Sequence, residues 1–276
     1  MPRSNGCRSD WDRAGAHLMI GPTPISLVLE SERRTAGEPF PVYLLESWGT
    51  EFPGVVAGVT EAAPGADFSD ARTETWSFHG RLEQLAAQLG FQSVAWTRQV
   101  HGGEVRPVDP SAVGLFCPGE GDGLYLCRRG ILLLVMVADC VPVYLLDSEG
   151  DGRALLHAGW RGASTGILAR GIAALGEAYG TSPRELRVHL GPAICGECYE
   201  VGGEVLQAFG HARQPGGKVD LREELAGQAL SLGVPADAVT RSSWCTRCHR
   251  DRFHSHRGSQ GSAGRMAAFL GSREAN

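Results

Sequence analysis

The sequence predicts an α+β fold built on mixed sheets, and three observations carry that expectation. Strand-like and helix-like segments mix along the chain without the regular alternation of a doubly wound sheet. No G-x-G-x-x-G follows a strand and no G-x-x-x-x-G-K-[ST] occurs, so neither nucleotide-binding motif argues for a parallel sheet. Apolar residues make up 42% of the 276, enough for a sizeable core and too many for a disordered chain.

Residues 1–24 read as an irregular leader, polar, with Gly and Pro and no sustained period, and Met19 offers an alternative start. A single catalytic domain is expected over 25–276. "ISLVLES", "PFPVYLLES" and "GVVAGVT" alternate or cluster as strands, and "EAAPGADFSDARTE" is a loop. Residues 77–90 form a helix, with Leu82, Leu85, Ala86 and Leu89 at helical spacing and Gly90 as its stop. "SVAWTRQV" is a strand that delivers His101 at its end. "LYLC" and "ILLLVMVAD" follow, then two apolar runs flanking the turn "DSEGDGR". "TGILARGIAALGEAYG" is a second helix, ending at Gly180. "ELRVHLGPAI" is a strand with a Gly-Pro break, "GGEVLQAFG" and "LREELAGQALSLG" are short helices, and "GRMAAFLG" is a last strand.

The formal net charge of -5 gives no support to general nucleic-acid binding. No apolar run reaches the length of a membrane span, and the N-terminus lacks the apolar core of a signal peptide. A cytoplasmic monomer acting on small molecules is expected. In that compartment the eight Cys read as thiols, metal ligands or catalytic groups rather than disulfides.

Three residues near strand ends can converge: His101 in "RQVHGGEV", Cys140 in "VADCVPV" and His157 in "ALLHAGWRG". Two imidazoles and a thiolate suit Zn²⁺, and three protein ligands leave an open position. Taken singly, Cys140 reads as a core thiol and His157 as a strand-end histidine. Cys140 with His157 also suits a metal-free nucleophile, with Asp139 or a carbonyl as orienter. Spacing alone leaves these open.

Five blocks, "RQVHG", "VADCVPVYLLD", "ALLHAGWRG", "GPAICGECYEVG" and "FHSHR…GRMAAF", resemble in order the signatures of the YfiH-like family, from about Pro39 to Leu270. That family is also called multicopper polyphenol oxidase or laccase-domain, and its members are described as purine nucleoside phosphorylases. The resemblance implies two mixed sheets packed between helices in α/β/β/α layers, a fold related to the cytotoxic necrotizing factor catalytic domain. It puts the family's metal triad on His101, Cys140 and His157, with Zn²⁺ as the ion and Cu²⁺ as an in vitro substitute. The implied activity is phosphorolysis of adenosine, inosine, guanosine and methylthioadenosine, with adenosine deamination beside it. Copper-dependent phenol oxidation, and a Cys-His hydrolase in cell-wall precursor editing, are the alternatives.

Around that triad, Asp139 is expected to orient a ligand or act as general base. Arg161, just before a helix in "GWRGASTG", is expected to bind phosphate with the helix amides, and Arg257 and Arg265 are weaker candidates. Tyr199 can stack on a base. His254 and His256, alternating on an extended segment, would share a face and could relay a proton. His79, His189 and His211 read as structural or surface residues. Members usually carry Arg where this chain has Glu61 and Asn where it has Gly80, while Arg81 is retained; the only two Asn are Asn5 and Asn276. "CTRCH" at 245–249 matches the haem-attachment pattern, which needs export. The pairs Cys195/Cys198 and Cys245/Cys248 can form a Cys₄ structural zinc site. The family blocks allow a simpler reading, packed thiols near the site.

Overall fold

The computed structural model describes residues 28–30, 32–69 and 75–274. The expected leader, and the start of the strand expected from Ile25, lie outside the described residues.

Two seven-stranded mixed sheets stack face to face. The first has the order β1 (Val28–Glu30), β15 (Val239–Ser242), β12 (Leu186–Leu190), β10 (Val141–Asp147), β11 (Arg153–Ala158), β8 (Gly123–Leu126) and β6 (Val105–Pro107). The second has the order β2 (Arg33–Thr35), β3 (Val42–Leu44), β4 (Val55–Thr60), β16 (Met266–Ser272), β9 (Ile131–Val137), β5 (Ser93–Trp96) and β7 (Leu115–Phe116). A small ribbon pairs β13 (Glu200–Gly202) with β14 (Gly216–Lys218). The helices are α1 (Glu46–Glu51), α2 (Trp76–Leu89), α3 (Trp160–Ser164), α4 (Ile167–Tyr179), α5 (Gly203–Ala208) and α6 (Leu221–Ser231).

Period-2 alternation sorts each central strand between two cores. Val143 and Leu145 of β10 pack with Ile172 of α4 and Leu225 of α6, while Tyr144 and Leu146 turn into the space between the sheets. In β9, Leu133 and Val135 enter that same intersheet core, whereas Leu132 and Leu134 meet Leu82 and Leu85 of α2. These central strands are buried on both faces, so they read as continuous apolar runs. The α/β/β/α layering is therefore as expected.

Two helix boundaries follow from local chemistry. The Thr75 hydroxyl accepts the Phe78 amide to start α2, and Gly90 ends it in the left-handed region at φ 81°. Two local expectations need correction. "PFPVYLLES" leaves the strand conformation after Leu44 and turns into α1, which buries Trp48. "SVAWTRQV" stays a strand only to Trp96, so His101 stands on a loop beyond it.

Strand directions set the functional edge. β5 runs parallel to β9, and β4 also runs in that sense because both are antiparallel to the intervening β16. The chain leaving β9 crosses at 138–140 into β10 of the other sheet. The C-terminal edge of the second sheet thus meets the start of β10 and the end of β11. No helix among the described residues is long and apolar enough to cross a membrane.

Leu133 is fully buried between the sheets. Leu133→Ala is expected to cost about 2–5 kcal/mol. Urea unfolding should show a lower midpoint at an unchanged slope.

Candidate metal centre

The metal-ligating atoms of His101, Cys140 and His157 lie within 4.8 Å of one another. Each comes from a different chain crossing at the shared edge. Cys140 ends the crossing from β9 to β10, His157 is the penultimate residue of β11, and His101 stands on the loop after β5. The two imidazoles meet edge to face with ring centroids 4.9 Å apart. His157 is buried and His101 is exposed, so the cluster opens to solvent on one side.

The loop bearing His101 is held by a residue that sequence reasoning missed. Asp122 is fully buried, and its carboxylate accepts the amides of Val100, His101 and Gly102 at 3.2, 2.9 and 2.7 Å. The His157 Nδ1 donates to the same carboxylate at 2.9 Å. This occupies Nδ1 and leaves Nε2 for Cys140 or a metal. Strand pairing explains the meeting: Gly123 of β8 is registered with Leu156 of β11, and the His157 amide donates to the Asp122 carbonyl at 2.7 Å. In sequence Asp122 sits in "GDG", which reads as a turn; only that register marks it.

Burial pushes the Asp122 carboxyl up, but the hydrogen bond and charge of His157 and the amides outweigh it and hold the group low. Burial likewise opposes ionisation of Cys140, yet the charge of His157 and hydrogen bonds from His101 and His157 bring the thiol down to about 6. Burial works against a charged His157, while the Cys140 thiolate and Asp122 raise it to about 9. The side chains alone thus favour a thiolate, the ligand form of cysteine. One thiolate and two imidazoles, one of them braced by a buried carboxylate, fit zinc with an open position.

Close packing restricts residue size in the turn behind the ligands. A Cβ on Gly159 would stand 3.1 Å from the Cys140 sulfur, and one on Gly162 would strike the Gly102 carbonyl at 2.6 Å.

Asp139 adopts a left-handed φ of 84° and is buried. Its carboxylate accepts the Thr246 hydroxyl at 2.6 Å and the Arg257 amide at 2.7 Å, so it ties the crossing to two distant segments. Tyr199 is buried beside this turn, with the Arg257 guanidinium carbon 4.9 Å from its ring centroid. Burial, then the Cys140 charge, pushes its hydroxyl up to about 12 against the pull of Arg257 and Arg161. Tyr199 therefore lies within reach of the charges of Cys140, Asp139, Arg257 and Arg161.

Arg161 differs from its expected setting. It lies inside α3, a helix of five residues, and its guanidinium carbon stacks 4.3 Å from the centroid of Trp160. Gly166, at φ 85°, separates α3 from α4. Any anion bound there must rely on the exposed guanidinium rather than on a long helix.

The extended segment expected to carry His254 and His256 is not formed, and the chain runs in turns from His256. His254 is half-buried near Asp67 and Arg265, and the exposed His256 packs toward Gly261. Arg265 donates to the carbonyls of Ala263 and Gly264. His189 is buried between Thr240 and Glu32, and His211 pairs with Glu224 at the surface, as structural and surface histidines should. A cleft of about 690 Å³ lined by Phe91, Arg128, Arg129 and Arg273 lies at the opposite end of β9 and holds none of these residues.

A profile of the multi-copper polyphenol oxidoreductase laccase family matches residues 71–273. The chain belongs to this family. It is 32% identical over 253 residues to the purine nucleoside phosphorylase YlmD of Geobacillus stearothermophilus, covering 81% of this chain and 92% of the relative. It is 35% identical over 193 residues to the adenosine deaminase RL5 of an unknown prokaryotic organism, covering 63% and 73%. The crystal structure of YlmD from G. stearothermophilus superposes with a TM-score of 0.76 at 28% identity, covering 89% of this chain and 100% of that one.

Glu61 and Gly80, singled out in the sequence, have plain physical settings. Glu61, at the edge that carries Cys140, is buried and its charge is met by Arg34 at 2.7 Å. Gly80 faces open space, and a Cβ there would meet no atom within 4 Å.

Asp122→Asn retains the shape of the side chain but removes the charge that orients His157. It is expected to weaken metal binding at this centre about 10–100-fold. Competition with a chromophoric chelator measures it; unchanged affinity would separate Asp122 from metal binding.

Proposed function

We propose that this chain is a zinc-dependent purine nucleoside phosphorylase, with adenosine deamination at the same centre. The observation that carries this reading is the open, carboxylate-braced cluster of His101, Cys140 and His157, whose thiolate charge reaches Tyr199. The relatives named as purine nucleoside phosphorylase and adenosine deaminase support it.

His101, Cys140 and His157 would hold the ion, which when bound supplies Lewis acidity at a position the protein leaves open. Phosphorolysis transfers the ribosyl C1′ from a purine nitrogen to a phosphate oxygen, giving free base and ribose 1-phosphate. The chain must therefore hold an anion and an aromatic base side by side. The exposed Arg161, stiffened by its stacking on Trp160, offers a fork for phosphate oxygens. Tyr199 offers a ring to the base, and Arg257 already covers part of it. Asp139 acts in this scheme as a positioning residue, since both its oxygens accept hydrogen bonds from elsewhere in the fold.

The multi-copper chemistry in the family's description is not favoured by the donor set. Among the described residues the only histidine-containing cluster has two imidazoles, and the other is all thiol. A metal-free hydrolase is the second reading. It is favoured by the Cys140–His157–Asp122 chain, which has the form of a nucleophile, base and orienter.

Purified protein should convert adenosine to adenine only with phosphate, with an equal amount of ribose 1-phosphate, and to inosine without it. Cys140→Ala is expected to lose both activities at least about 100-fold. Chelation should stop turnover and zinc should restore it. Turnover that survives chelation but dies with iodoacetamide would replace this reading with the hydrolase. Full activity in Cys140→Ala would contradict both.

A further inference from the structure

The two C-x-x-C pairs meet in space. Cys195 and Cys198 lie on the turn that follows β12, and Cys245 and Cys248 on the turn that follows β15. β12 and β15 are parallel neighbours, so their C-terminal ends emerge side by side. A parallel bridge continues the pairing from Ala193 to Cys245, and the Thr246 amide donates to the Ala193 carbonyl at 3.1 Å. The four sulfurs lie within 4.8 Å of one another, with Cys198 and Cys248 3.5 Å apart. The Cys195 amide donates to the Cys245 sulfur at 3.3 Å, a contact that steadies a thiolate. All four cysteines are free of disulfides.

Four thiolates about 2.3 Å from one tetrahedral zinc stand roughly 3.8 Å apart, close to the spacing found here. Cys248 is exposed, Cys195 and Cys198 are partly so, and only Cys245 is buried, so the four are not packed as core thiols. Unlike the His101 centre, this one has four protein ligands and leaves no position for substrate, the closed pattern of a structural site.

We propose that Cys195, Cys198, Cys245 and Cys248 form a second, structural zinc site that clamps together the turns after β12 and β15. The clamp adjoins the segments that carry Tyr199 and reach Asp139. Cys198 directly precedes Tyr199, and the Arg247 guanidinium donates to the Cys198 carbonyl at 2.7 Å. Thr246, between the two cysteines of its pair, donates its hydroxyl to Asp139, which adjoins Cys140. Metal at the clamp thus fixes the wall that carries Tyr199 and the contact that holds the Cys140 turn.

Metal analysis of the full chain, grown with zinc and purified without chelator, tests this directly. Two zinc per chain are expected. A Cys140→Ala/His157→Ala variant should keep one, and Cys198→Ser/Cys248→Ser should keep the other and melt at a lower temperature. Cobalt added to metal-free Cys140→Ala/His157→Ala protein should give the intense thiolate-to-metal absorption of a four-sulfur site. If Cys198→Ser/Cys248→Ser fails to fold, the zinc count of the unsubstituted chain and the cobalt spectrum still decide. One zinc per chain that disappears with Cys140 and His157 would overturn the proposal. So would iron in place of zinc at the clamp, or a denatured thiol count showing these cysteines paired as disulfides. These readings do not depend on nucleoside turnover, so failure of the proposed enzymatic function would leave them intact.

Discussion

A buried carboxylate organises the functional edge of this protein. Asp122 is taken fully out of water, which would be costly for an isolated charge. Three consecutive backbone amides and the His157 ring satisfy it. Those four bonds join a loop that leaves the second sheet to a strand of the first. They fix where His101 can stand and which nitrogen His157 presents. Removing the charge would release both histidines at once, although neither would lose a covalent or packing contact of its own.

The remaining architecture serves the same meeting point. The chain changes sheets between β9 and β10, and Cys140 lies on that crossing. Asp139 is held in a left-handed conformation there by Thr246 and by the amide of Arg257. The crossing is thereby tied to segments more than a hundred residues downstream. Glycines at 159 and 162 let α3 and its preceding turn close over the cluster, since a methyl group at 162 would collide with the Gly102 carbonyl and one at 159 would press on the Cys140 sulfur. A site assembled from three chain crossings needs such clamps, because no single strand or helix sets its geometry.

Much of this was legible in the sequence, and the parts that were not share a cause. The strands buried on both faces announce themselves as apolar runs, and α2 and α4 by their spacing and their glycine stops. His101, Cys140 and His157 stood out because a thiol and imidazoles occur beside strand ends. Asp122 did not, since "GDG" carries the ordinary signature of a turn and its role depends on the pairing of β8 with β11. The extended segment expected to align His254 and His256 is absent, because the Ser255 hydroxyl accepts the Gly258 amide and the chain runs in turns from His256. The short α1 was hidden because a six-residue helix with one buried side chain leaves little periodic signal. The two C-x-x-C pairs stood out in the sequence as a possible four-thiol site, while the parallel pairing of β12 with β15 that brings them together has no local signature.

The central claim is that His101, Cys140 and His157 jointly hold the ion on which turnover depends. Anomalous diffraction at the zinc edge, from crystals of a preparation active on adenosine and phosphate, tests it most directly. The account predicts a peak within bonding distance of both imidazoles and the Cys140 sulfur, with one position open. Active crystals with no peak among these three residues would contradict it.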